Sequence, residues 1–197
     1  MKLVLLLLLT LISCSNKFKT QEGYKTIQNN IYTIHYSEAL EQPLFIKYDV
    51  KCYDSQNKEA RKGLTFHKEN GIHTSDNLDY QNNDFDKGHM APAADFACDP
   101  SLLKKTFSFV NCALQHKSIN RGVWKQLEDV ERGLLRSHDK VTIEIDVIFS
   151  PNSIVLESGA TVPDAFRKKI YVDGAFNSSF YIPNKDVGGT YLDEFRE

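Results

Sequence analysis

The sequence predicts an α+β domain, a mostly antiparallel sheet with one principal helix set directly after a strand. Three observations carry that prediction. Leu44–Cys52 (LFIKYDVKC) alternates apolar and polar residues, the period of a strand, and Val141–Phe149 (VTIEIDVIF) reads as a later strand. Val123, Leu127, Val130 and Leu134 fall at i, i+4, i+7 and i+11, one apolar stripe along a helix. A run of strands with one principal helix directly after a strand is the pattern of the α+β class.

The other elements follow in chain order. Residues 1–13 stand apart from the fold: Lys2 precedes an apolar run from Leu3 to Ile12 broken only by Thr10. That is the length of a secretory signal core and too short to span a bilayer. Leu11-Ile12-Ser13-Cys14 resembles the lipobox of bacterial lipoproteins, where cleavage exposes a cysteine that is then lipidated. The resemblance implies lipidation at Cys14, with the protein exported and anchored to the membrane of a bacterial cell envelope, on its periplasmic or cell-surface side. An ordinary secretory signal is the plainer alternative. Residues 14–28 are polar and aperiodic, and read as a tether. This leaves 29–197 as one domain. Within it, Ile31–Tyr36 reads as a strand and 54–84 as long loops rich in Asn, Asp, Lys and Gly. Thr106–Ala113 (TFSFVNCA), Lys169–Val172 and Ser178–Ile182 read as further strands. Asn120 sits near the start of the helix, where asparagine is favoured as a cap.

Charge and cysteine usage narrow the function. With 24 Lys and Arg against 26 Asp and Glu, the net charge is −2, which argues against a uniformly basic, sequence-blind nucleic-acid binder. Between Ser101 and Lys140, however, eight cations face four anions, a local net of +4. Such a patch can hold a polyanion at one place, although a solvated helix face has the same composition. Beyond Cys14 the chain carries Cys52, Cys98 and Cys112, one disulfide plus one thiol with the pair left open. His35, His67, His73, His116 and His138 show no ligand spacing and read as surface or loop residues.

The chemistry concentrates in three blocks: DKGHMAPAAD (86–95), NCALQHKSINRGVW (111–124) and LEDVER (127–132). Asn120, Trp124, Glu128 and Arg132 recur every four residues beside the apolar stripe, a polar row at the edge of a core. The plain alternative is a cap plus a Glu128–Arg132 surface ion pair worth a few tenths of a kcal/mol. In order and spacing the three blocks resemble the non-specific DNA/RNA endonuclease family with the ββα-metal active site. The stretch 36–50 resembles that family's opening strand, and the resemblance runs over residues 31 to 183.

The resemblance implies a metal-dependent, sequence-non-specific endonuclease acting on DNA, RNA or both. It implies His89 as general base, Asn120 as the protein ligand of a Mg²⁺ and Glu128 holding that ion's waters. Asn111 and Arg132 would support the site and the phosphate, and Lys87 would face the phosphate. A neutral imidazole, with a reference pKa of about 6.5, can take a proton from water. Mg²⁺ keeps several waters and accepts oxygen donors, and Mn²⁺ is expected to substitute. If both are helical, Asn120 and Glu128 lie about 12 Å apart along the axis, so a shared ion joins them only through water.

Three positions depart from the family pattern. Lys87 stands where an arginine is usual, keeping the charge but not the bidentate fork. Leu114 stands for a proline, and the C-terminal part is expected to be shorter than the family's, without a further strand and helix. The alternative reading is a catalytically impaired nucleic-acid-binding lipoprotein on the same fold.

Overall fold

The computed structural model describes residues 23–53 and 61–197, so the signal segment, Cys14 and the first part of the tether lie outside the described residues. Among the described residues eight strands form: β1 (Lys25–Gln28), β2 (Tyr32–Ser37), β3 (Gln42–Asp49), β4 (Phe85–His89), β5 (Cys112–His116), β6 (Val141–Ile148), β7 (Ala165–Val172) and β8 (Ala175–Pro183). Three helices accompany them: α1 (Pro100–Thr106), α2 (Lys117–Arg121) and α3 (Val123–Leu135). Six strands build one antiparallel sheet in the order β1-β2-β3-β6-β7-β8, while β4 and β5 pair as a separate antiparallel ribbon. The ribbon followed by α2 and α3 is a ββα unit, and the α+β class expected from the sequence holds.

Alternation decides which sheet face is buried. In β6, Val141, Ile143, Ile145 and Val147 point inward while Thr142, Glu144 and Asp146 do not. In β7 the inward phase reads Phe166, Lys168, Ile170 and Val172, so a lysine occupies a core position. Against this face lies α3, whose Trp124 ring meets Phe166 edge-on at 5.4 Å. The core therefore sits between the sheet on one side and α3 with the ribbon on the other.

Several expectations are corrected. Lys25–Gln28, within the stretch read as a tether, pairs with β2 as an edge strand. Residues 36–50 are not one strand: Tyr36 and Ser37 end β2, a turn follows, and β3 returns beside it. The TFSFVNCA strand is instead the end of α1, a 3₁₀ turn at Phe109–Asn111 and the start of β5. Asp99 is the reason, since its carboxylate accepts from the Ser101 and Leu102 amides ahead of Pro100 and so starts a helix. The α3 stripe is also shifted, because Val130 is 41% exposed while Trp124, Glu131 and Arg132 are buried. Asn120 caps nothing. It belongs to α2, which begins at His116, whose ring nitrogen accepts from the Ser118 amide. Gly122 separates α2 from α3, and a Cβ there would collide with the Ser118 carbonyl oxygen. The single-axis separation of Asn120 and Glu128 accordingly does not apply.

The +4 segment is also not a free cationic patch. Lys117 pairs with Asp84, Arg121 with Asp86, Lys125 with Asp129, Arg132 with Asp95 and Lys140 with Asp49. Carboxylates distant in sequence or one helical turn away neutralise most of it.

Candidate active site

The ribbon presents the Asp86-Lys87-Gly88-His89 segment. Alternation along β4 sends Asp86 toward α2, and Lys87 and His89 toward the loop that carries Phe66. Gly88 is required by a close approach: a Cβ would lie 2.6 Å from the Gln115 Cβ across the ribbon. Behind His89, Asn111 holds the chain that leaves the strand. Its amide accepts from the Ala91 N–H (2.8 Å) and donates to the Ala91 and Thr106 carbonyls (both 2.9 Å). Asn111 thereby fixes the ribbon's end and has no amide group left for phosphate, which corrects half of the role expected for it.

His89 is wrapped by aromatic rings, with the Phe66 centroid at 4.7 Å and Phe107 edge-on at 5.0 Å. Its Nε2 is buried and has no partner among the described residues. Burial, and secondarily the positive charge of Arg61, push its pKa from 6.5 down to about 3. The imidazole is therefore neutral at neutral pH, far below the value assumed from its type. Lys87 sits over the Phe66, Tyr80 and Phe109 rings at 5.9, 5.8 and 5.7 Å and donates to Asn77. Cation–π contact and one hydrogen bond thus fix its ammonium near the Phe66 ring that also packs on His89.

On the other side of β4, one carboxylate organises two side chains. Asp86 Oδ2 accepts from Asn120 Nδ2 at 3.0 Å, and Arg121 binds both Asp86 oxygens at 2.7 Å. A carboxylate only accepts, so it selects the amide nitrogen of Asn120 and turns Oδ1 away, free to accept or to ligate. Glu128 lies half-buried on α3. Burial raises its pKa from 4.5 to about 7, against the pull of Lys168, Arg132 and Arg61.

Below Glu128 the charges are fully enclosed. Lys168 Nζ binds Glu131 at 2.6 Å with neither side chain exposed, Tyr48 donates to the same carboxylate at 2.7 Å, and the ammonium lies 4.1 Å from the Trp124 ring centroid. Arg132 bonds buried Asp95 at 2.7 Å and also Asp129. It forms no ion pair with Glu128, and its guanidinium is committed to holding α3 against the Asp95 turn rather than to phosphate.

Residues 12–197 match the family model described as DNA/RNA non-specific endonuclease. The chain belongs to that family. Mitochondrial endonuclease G of Bos taurus is 24% identical over 174 residues, 79% of this chain and 58% of that protein. Nuclease C1 of Cunninghamella echinulata var. echinulata is 30% identical over 124 residues, 55% of this chain and 49% of that one. The chain thus spans about half the length of these relatives. A solved structure of an EndoG/EndoGI complex superposes with a TM-score of 0.76 at 22% identity, over 87% of this chain and 79% of that chain, and so shares the fold.

In this endonuclease-family chain the structure brings Asn120, Asp86 and Arg121 into one bonded group, and places Glu128 above a buried ion pair. No hydrogen bond joins His89 to Asn120 or Glu128 among the described residues. The positive charge of Arg61 acts on both His89 and Glu128, lowering the pKa of each. Arg61 and Lys168 do not stand out in the sequence, and Asp95 closes the first block there without a role. Lys168 had a signal, the apolar phase of β7; Arg61 had none, being one cation in a polar loop.

Proposed function

We propose that this chain is a divalent-cation-dependent, sequence-non-specific endonuclease that hydrolyses phosphodiester bonds in DNA, RNA or both. The unpartnered, buried Nε2 of His89 carries the reading. A buried acceptor without a hydrogen bond is costly unless a group from outside completes it, and a reacting water is such a group. His89 takes that water's proton as its oxygen attacks phosphorus and the bond to the leaving oxygen breaks. A base held at about 3 is a weak acceptor, and a phosphodiester anion entering beside it raises its proton affinity.

The residues present fit a hard cation. Asn120 offers a neutral amide oxygen of fixed orientation and Glu128 a carboxylate, donors suited to Mg²⁺ or Mn²⁺ with water in the remaining positions. Among the described residues no three His, Cys, Asp or Glu side chains converge on one point, so ligation here relies on few protein atoms. When bound, the ion supplies charge neutralisation at the phosphate and the leaving oxygen. Lys87 contributes one positive charge near the same place. The reading is tested by nicking of supercoiled DNA with and without chelator. Cleavage that stops in EDTA and returns with Mg²⁺ or Mn²⁺ supports it; full activity in EDTA overturns it, and binding without cleavage leaves the nucleic-acid-binding alternative.

The proposal extends to location: residues 1–13 removed as a signal and Cys14 lipidated, with 14 onward leading into an exported domain. The Cys52–Cys98 disulfide supports export, since such bonds persist in oxidising compartments. Cys14→Ala should lose membrane association; a variant that still fractionates with membranes refutes the anchor.

A further inference from the structure

We propose that Arg121 is a positioning residue for cation binding, holding Asp86 so that Asp86 in turn holds the Asn120 amide with Oδ1 toward the ion. The inference rests on the endonuclease reading above and extends it to a residue that reading gives no role.

Arg121 makes a two-point fork on Asp86, Nε to Oδ2 and Nη2 to Oδ1, each at 2.7 Å. A fork fixes the plane of a carboxylate, not only its distance, which one ammonium contact cannot do. The same Oδ2 accepts from Asn120 Nδ2 at 3.0 Å. An amide is nearly symmetric in shape, so only such a partner distinguishes its two orientations, and the wrong one aims N–H at a cation. Arg121 is also unsuited to a packing role, its side chain being 70% exposed. Asp86 is held by nothing else among its described hydrogen bonds.

Charge alone predicts the opposite effect of removing Arg121. Taking a cation away from a cation site, and leaving Asp86 unneutralised, strengthens attraction for another cation. A positioning role predicts weakening. The sign of the change therefore separates the two.

The experiment measures Mn²⁺ binding to the full chain without nucleic acid, by electron paramagnetic resonance of the free ion, for wild type, Arg121→Ala, Arg121→Lys, Asp86→Ala and the Arg121→Ala/Asp86→Ala double variant. Groups that orient a metal ligand are typically worth 10–100-fold in affinity, so Arg121→Ala should raise the Kd about tenfold. Arg121→Lys should recover part of that. In the Asp86→Ala background, Arg121→Ala should cause no further weakening. Unfolding by denaturant in EDTA should be nearly unchanged for the Arg121 variants. Unchanged or tighter binding by Arg121→Ala overturns the inference and leaves the endonuclease reading intact. A wild type that binds no Mn²⁺ overturns both.

Discussion

The perturbation that best separates the two titrating groups of the site is pH, applied to cation binding in the absence of substrate. Glu128 and His89 have exchanged their ordinary order, with the carboxyl at about 7 and the imidazole at about 3. The carboxylate form is the one that can hold a cation or its waters, so affinity is present above the Glu128 pKa and is lost as pH falls through it. With one proton competing for one carboxylate, the apparent Kd should rise about tenfold at pH 6 and about 100-fold at pH 5 relative to its plateau. His89 contributes no charge change in that window, because its folded-state pKa lies below it. From its residue type alone, His89 would have been assigned the acid limb, and burial reverses the assignment. The assay is Mn²⁺ titration from about pH 5 to about pH 8, with Glu128→Gln and His89→Gln as controls. Wild type should show the slope, Glu128→Gln should bind weakly and flatly, and His89→Gln should keep the slope. A flat wild-type profile, or a slope abolished by His89→Gln, refutes the reasoning.

Three further expectations follow from the same geometry. His89→Ala should lower single-turnover cleavage by ~10²–10⁴ while leaving nucleic-acid affinity nearly unchanged in a filter-binding assay; wild-type turnover in folded protein would remove the general base. Breaking the Cys52–Cys98 disulfide, which spans a sequence separation of 46, should cost about 4 kcal/mol in urea unfolding. Cys98 is exposed, so reduction without denaturant should suffice. Lys168→Met or Glu131→Gln alone should each cost about 3–5 kcal/mol because a buried charge loses its partner, whereas the double variant should cost less than either. Additive losses in the double variant would show that the two do not act as a pair.

Much of the site was legible because the chemistry lies in short blocks. His89, Asn120 and Glu128 fall inside them; the fold packs His89 against Phe66 and Phe107, bonds the Asn120 amide nitrogen to Asp86 and half-buries Glu128 on α3. The roles of Asn111 and Arg132 were less legible, because a sequence shows residue type but not where hydrogen bonds go. Asn111 spends its whole amide on backbone, and Arg132 spends its guanidinium on Asp95, a contact 37 positions away. The strand expected at Val141–Phe149 forms as β6, whereas the apolar stripe expected of α3 fails at Val130. A helix whose inner face carries Glu131 and Arg132 has an apolar stripe rotated away from its buried one. Asp99 likewise outweighed the alternating aromatic residues of 106–113, since a cap with two amide bonds starts a helix that no periodicity announces.

That rotated face explains why an ion pair lies beneath the site rather than leucines. An apolar α3 face would tolerate small rotations of the helix, because hydrophobic contact is non-directional. Glu131 cannot rotate freely: its two oxygens are held separately by Lys168 and Tyr48, from two different strands of the sheet. Arg132, the next residue on the same buried face, adds a third tether to Asp95. One helical turn before them on α3 stands Glu128, so whatever fixes the rotation of residues 131 and 132 also fixes where Glu128 points. The enclosed charges are a poor source of stability, since hydrophobic replacements of similar volume are often as stable or more so. Their contribution is orientational, so a stably folded Lys168→Met/Glu131→Leu variant should still bind Mn²⁺ less well than wild type.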